Sequence, residues 1–240
     1  MKQSKHPMLA RYAWFILGVV INSFGISFIT KAALGTSPIT SVPYVLSMEL
    51  PLTLGQLSFI LNMLFILLQI ILLRRGFQWY QLLQIGVNII FSLTIDLSMQ
   101  LLTFFNPTFY PFKLLSLLVG CAILALGICI EVAPNVLMVP GEGAVKAIAQ
   151  VSRKEFGLVK VCFDVTLMLT AVLLSFLFFH QLQGIREGTI ISACLVGRIV
   201  RFYHHRLPFL KQIANLAPKP VAVKQAQSSS RQTKENNAAS

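Results

Sequence analysis

VLMVPGEGAVKAIAQ, residues 136–150, interrupts an almost wholly apolar run with a proline, two glycines, a glutamate and a lysine. Moving the chain 102 positions along itself without a gap lays LGTSPITSVPYVLSM, residues 34–48, on that stretch. In the same register Pro38 meets Pro140, Gly18 meets Gly120, Gly25 meets Gly127, Gly55 meets Gly157 and Gly86 meets Gly188. Four of the six glycines in residues 10–111 therefore land on glycine, where an arbitrary shift at this composition would give well under one. Softer matches follow: Arg11 on Lys113, Asn62 on Asp164, and Asp96 on Arg198. The chain reads as a short N-terminus, 1–9, two copies of one membrane unit, 10–111 and 112–213, and a polar basic tail, 214–240.

Composition sets the solvent of those units. The 240 residues are 55% hydrophobic and only 12% charged, with mean hydropathy +0.73, more apolar surface than a soluble fold of this size can bury. It falls in blocks near 12–33, 52–73, 79–105, 112–132, 157–179 and 185–203, each near the roughly 20 residues a helix needs to cross about 30 Å of hydrocarbon. Helices are expected because backbone groups in lipid must bond within their own segment, and the short alternating strands of a barrel are missing. The first block is too long for a cleaved signal and reads as retained.

Three spans per unit make the second copy enter from the opposite side. The expected fold is thus an all-α integral membrane protein of six transmembrane helices, arranged as two inverted three-helix repeats with short interrupted helices after spans 1 and 4. Those helices, near 39–48 and 141–151, are too short to span and read as interfacial or re-entrant. Gly18 and Gly25, like Gly120 and Gly127, are seven apart and so share one helical stripe, which lets the first and fourth spans approach closely.

Basic residues place both ends in the cytoplasm: Lys2, Lys5 and Arg11 before the first span, Arg74 and Arg75 after the second, Lys146, Arg153, Lys154 and Lys160 after the fourth, and the tail. This bias accounts for most of the net charge of +12 and makes nucleic acid an unneeded partner. The tail is expected to be disordered and drawn to anionic lipid at the cytoplasmic face of the membrane. Cys121, Cys129, Cys162 and Cys194 show no ligand spacing and read as small apolar fillers, so no metal or cofactor is implied.

Ionisable and amide groups within the spans are the site candidates. Asn62 and Asp164 occupy equivalent positions in the two copies. Lys160 lies four residues before Asp164, so an intrahelical pair competes with a pathway role. Asp96 and Arg198 correspond and suggest a pair between the copies, although Arg198 is also placed to snorkel. Glu131, near the inner end of span four, reads as solvated, and Arg186 with Glu187 as the cap of span six. Glu142 follows Pro140–Gly141 at the start of a short helix. Two roles stay open for it, a cap favoured by the helix dipole and a carboxyl that binds a cation or proton.

The stretches FGISFITKAALGTSPITSVPYVLS, TLGQLSFILN, VPGEGAVKAIAQ, FGLVKVCFDV and REGTIISACLVG resemble the YczE/YyaS/YitT group of bacterial multi-spanning membrane proteins over about residues 10–205. The chain is most similar to the YczE-like branch, its tail standing where many YitT-like relatives carry a soluble domain. The resemblance implies a bacterial inner-membrane protein and presumed permease with no settled substrate. The residues support the same class: a permease or exporter of a small molecule, coupled to a proton or cation, with Asn62, Asp164, Glu142 and Lys160 near the pathway. A non-transporting membrane partner of another enzyme is the alternative. An enzyme is not expected, since no HExxH, GxSxG or P-loop is present.

Overall fold

The computed structural model describes residues 7–216, so the N-terminal hexapeptide and most of the basic tail lie outside the described residues. The described chain is helical throughout: α1 Pro7–Lys31, α2 Ser41–Glu49, α3 Leu54–Leu73, α4 Leu83–Leu101, α5 Tyr110–Val132, α6 Pro140–Ser152, α7 Phe156–Phe179, α8 Glu187–Arg206 and α9 Pro208–Ala214. Short 3₁₀ turns precede α2 at Pro38–Thr40 and α4 at Trp79–Leu82.

Among the described residues, five helices are long and apolar enough to cross a membrane: α1, α3, the Trp79–Leu101 segment that ends in α4, α5 and α7. The protein is therefore a multi-pass membrane protein. The sixth expected span corresponds to α8. It has the length, 20 residues, but Glu187, Arg198, Arg201 and Arg206 lower its apolarity below that of the other five.

Local chemistry explains where the helices start and stop. Thr53 opens α3 with a capping box: its hydroxyl accepts from the Gln56 backbone N–H at 3.1 Å, and the Gln56 side chain accepts from the Thr53 N–H at 3.1 Å. Proline stands in the first turn of α5 and of α6, where the missing N–H costs nothing. Arg153 and His180 end α6 and α7 in the left-handed conformation, both at φ 53°. Arg11 of α1 donates to the Pro134 and Asn135 carbonyls at 3.0–3.1 Å, satisfying oxygens just beyond the end of α5.

The core is a seam between α1 and α5. Gly18 abuts the backbone of Glu131, and Gly127 that of Asn22. A Cβ on Gly25 would stand 2.6 Å from Leu124 Cα, and one on Gly120 2.7 Å from Ile29 Cγ1. As positions on α1 rise through 18, 22, 25 and 29, their partners on α5 fall through 131, 127, 124 and 120, so the two helices run antiparallel with backbones nearly touching. The midpoint of this contact lies between residues 23 and 24 of α1 and between 125 and 126 of α5.

The outer helices dress this pair. α4 packs along α1 and α8 along α5, while α3 packs on α6 and α2 on α7. α3 also packs on α4, but α7 is held by α2 and α6, and an apolar groove of ≈ 550 Å³ separates it from α8 near Leu182 and Ile190. α2 and α6, of 9 and 13 residues, rise only about 14–20 Å and do not cross. One face of each is nonetheless buried, with Val42 and Val45 in α2 and Ala144 and Val145 in α6, so both short helices pack into the bundle.

Candidate functional site

Polar groups gather around the two proline breaks, differently at each. At the first, Ala33 (φ 58°) and Gly35 (φ 116°) turn the chain out of α1, and Pro38 starts the 3₁₀ turn. Here Thr30, Thr36, Ser37 and Thr40 form a closed hydroxyl chain, with contacts of 2.8 Å from Thr30 to Thr36, 2.9 Å from Thr36 to Thr40 and 2.7 Å from Ser37 to Thr40. Thr189 of α8 accepts from the Thr36 N–H at 3.2 Å, and Ser192 donates to the Thr36 carbonyl at 3.3 Å. Each hydroxyl in the chain is satisfied by a neighbour, which holds the break rigidly to α8.

The break at Pro140 is charged. Glu142, 102 positions after Thr40, is partly buried in the first turn of α6. Burial raises its pKa above the ordinary carboxylate value. The Lys160 ammonium opposes that shift and the Asp164 carboxylate adds to it, which puts all three charges within electrostatic reach of one another. Lys160 Nζ meets Asp164 Oδ1 at 2.6 Å, one turn apart on α7. Glu142 does not cap its helix with a side-chain hydrogen bond, since the N-cap is Val139.

Amides from α3 and α4 back this cluster. Asn62 donates to Asn88 Oδ1 at 2.8 Å, and Asn88 donates to the Phe59 carbonyl at 3.0 Å. Gln69, 1% exposed, donates to Gln84 Oε1 at 3.2 Å and to the Pro140 carbonyl at 3.1 Å. Gly143 leaves room for that Gln69 amide, because a Cβ there would fall 2.6 Å from Gln69 Oε1. A cavity of ≈ 110 Å³ opens beside these groups, walled by Gln69, Gln84, Gly143, Lys146 and Gln150 and by the loop that leaves α5. Gln81 also lines it and presents a buried Oε1 without a hydrogen-bond partner.

The structure thus pairs Lys160 with Asp164 on α7, sets Glu142 on α6, which packs against α7, and leaves Asn62 with α4. Asp96 and Arg198 do not pair. Asp96 accepts from the Thr53 hydroxyl at 2.6 Å and the Gly55 N–H at 2.8 Å, holding the start of α3, whereas Arg198 is exposed. Glu131 corrects the expectation of a solvated group. It is 2% exposed, and Asn22 Nδ2 donates to its Oε2 at 2.8 Å across the α1–α5 seam. Arg186 is the N-cap of α8, 3.6 Å from Glu187.

Asn22, Gln69, Gln84 and Asn88 carry much of the buried polarity beside Glu131, and sequence reasoning passed over these four amides as site residues. A signal existed: Asn62 and Gln69 are seven apart and Gln84 and Asn88 four apart, so each couple shares one face of an apolar helix.

Residues 9–205 match the model of a family of unknown function, DUF6198. Among curated proteins the chain is similar to the uncharacterized protein YyaS of Bacillus subtilis (strain 168), 25% identical over 197 residues that cover 80% of this chain and 92% of that one. No solved structure matches. Both findings agree with the resemblance carried by the glycine and proline positions.

Proposed function

Because the chain belongs to the DUF6198 family, whose members share no stated function, we propose from the site itself that it is a permease or exporter of a small molecule, coupled to a proton or cation. The observation that carries this reading is the charge at the Pro140 break: Glu142 sits partly buried in the first turn of α6, α6 packs against the α7 helix that holds the Lys160–Asp164 pair, and a polar cavity opens on α6 at Gly143, Lys146 and Gln150. Charges at membrane depth are costly, and transporters gather them where a short helix interrupts the span.

The architecture we propose for alternating access is two inverted three-helix repeats, 10–111 and 112–213, with α8 as the sixth span. Three features support it. α1 and α5 cross antiparallel about points 102 positions apart, the pairing of α4 with α1 is matched by that of α8 with α5, and each proline break opens a short buried helix. Arg201 and Arg206, near the end of α8, would then snorkel to the surface. The basic flanks support a cytoplasmic membrane with both termini inside and anionic lipid at that face. Catalysis is not part of the reading.

A non-transporting partner of another enzyme is the second reading. It is favoured by the Lys160–Asp164 pair and the Asp96 cap, polar groups satisfied within the fold. Liposomes separate the two. Purified protein should move protons or a solute from a metabolite mixture, and Asp164→Asn and Glu142→Gln should reduce that movement at least tenfold. Tight liposomes with no flux, together with cells that keep their phenotype when both substitutions are made, would reject transport.

A further inference from the structure

Two pairs of amides fasten α3 to α4, Asn62 with Asn88 and Gln69 with Gln84. Carried forward 102 positions, these pairs become Asp164 with Ile190 and Ala171 with Arg186. Neither Ile190 nor Ala171 has a polar side chain to bond with, and Asp164 is taken by Lys160 on its own helix. The second half of the chain therefore lacks both fasteners of the first, and its two long helices stand apart across the groove of ≈ 550 Å³.

One wall of that groove is a single face of α7, formed by Val165, Met168, Leu169 and Val172, whose spacing of three, four and seven residues covers two turns, about 10 Å. Ile190 stands opposite on α8. Such walls offer water no hydrogen bonds, so beside a helix apolar enough to cross a membrane the space fills with hydrocarbon. The chemistry changes where α8 begins, because Arg186 and Glu187 line the same groove. Their side chains are about half-exposed, and their N–O separation of 3.6 Å is too long for a hydrogen bond. The guanidinium keeps its donors and the carboxylate its acceptors for another molecule.

We propose that the α7–α8 groove is a phospholipid site, with an acyl chain along the Val165–Val172 face, the phosphate on Arg186 and a primary ammonium on Glu187. A phosphate suits the guanidinium fork. The neighbouring carboxylate repels a headgroup that is anionic alone, and a quaternary ammonium has no N–H to give it, so the occupant is a phosphatidylethanolamine. In the first half the amide pairs hold the corresponding helices together instead. The site stands whether or not the chain moves a solute.

Native mass spectrometry of the full chain, released from micelles supplied with equal amounts of phosphatidylethanolamine, phosphatidylcholine and phosphatidylglycerol, tests this. The wild type should retain phosphatidylethanolamine in preference to the other two. Arg186→Gln should weaken that retention roughly tenfold, as expected for the loss of one charge-assisted contact. The Arg186 side chain makes no capping hydrogen bond to α8, so the melting temperature of this variant in lipid-free micelles should match the wild type. Glu187→Gln should remove the preference over phosphatidylglycerol, and Ile190→Trp, which fills the groove, should displace all three lipids. Equal retention of the three by the wild type, or retention that Arg186→Gln and Ile190→Trp leave unchanged, overturns the proposal. So does a dimer that Ile190→Trp converts to a monomer, which would give the groove to a second copy of the chain.

Discussion

Asn22 Nδ2 and Glu131 Oε2, 109 positions apart in sequence, stand 2.8 Å apart across the antiparallel seam of α1 and α5. This is a polar contact within the closest helix approach of the molecule, and its two partners differ in how replaceable they are. Leucine at 22 would leave the glutamate without its donor. Glutamine at 131 keeps an acceptor of the same shape. Asn22→Leu should therefore cost about 1–2 kcal/mol and Glu131→Gln less than about 1 kcal/mol, measured by reversible unfolding in mixed micelles. Equal losses would contradict this assignment.

The glycines divide into two classes by what surrounds them. A side chain at Gly25 or Gly127 meets the backbone of the facing helix, so Gly25→Val and Gly127→Val should destabilise by about 1–3 kcal/mol or prevent folding. Gly86, although it aligns with Gly188, has nothing within 4 Å of a built Cβ, and Gly86→Ala should be neutral or stabilise by up to about 1 kcal/mol. Gly188 faces the Leu34 carbonyl and Cβ, so the same change there should be costly. Thermal unfolding of the four variants in one detergent checks the division.

Glu142 gives the protein a pH slope. Its pKa is raised from 4.5 by burial, then by Asp164 against the opposing charge of Lys160, so above pH 4.5 the folded chain holds a proton that the unfolded chain has lost. Stability contributed by the neutral acid is then complete below pH 4.5 and falls as pH rises toward the shifted value. Melting temperature should decline over that interval, and Glu142→Gln should flatten the decline. A slope unchanged by the substitution would show that another group titrates.

Lys160 opposes the shift of Glu142 and pairs with Asp164. Lys160→Met should move the Glu142 transition to higher pH, while the partly exposed ion pair itself accounts for no more than about 1 kcal/mol. In a double-mutant cycle with Glu142→Gln, the effect of Lys160→Met on the pH profile should vanish. An effect that persists would place Lys160 with a different partner.

Asp96 is a structural carboxylate. Asp96→Asn can still accept one bond but not both from Thr53 and Gly55, and should destabilise the start of α3 by about 1–2 kcal/mol. Its effect should appear as faster hydrogen exchange in the first turn of α3, with flux per folded molecule unchanged.

Much of this was legible along the chain. The apolar blocks predict α1, α3, α5 and α7 to within a few residues, because lipid forces each span to satisfy its own backbone. The prolines at 38 and 140 mark the two breaks because proline is tolerated only in a helix's first turn. The character of Asp96 was hidden, since its partners lie 41 and 43 positions away on another helix. The character of α8 was legible only in part. Its length suits a span, but its charges are read differently once α7 stands away from it across an apolar groove.

The sequence by itself determined which segments are helical, how long they are and where proline interrupts them, since these follow from backbone bonding within each segment. Only the tertiary structure decided which polar residues meet. The seam at Gly18, Gly25, Gly120 and Gly127 sets how closely α1 and α5 approach, and that approach encloses Glu131 and delivers Asn22 to it. Burial and partnership, unlike helix length, depend on atoms brought from distant parts of the chain.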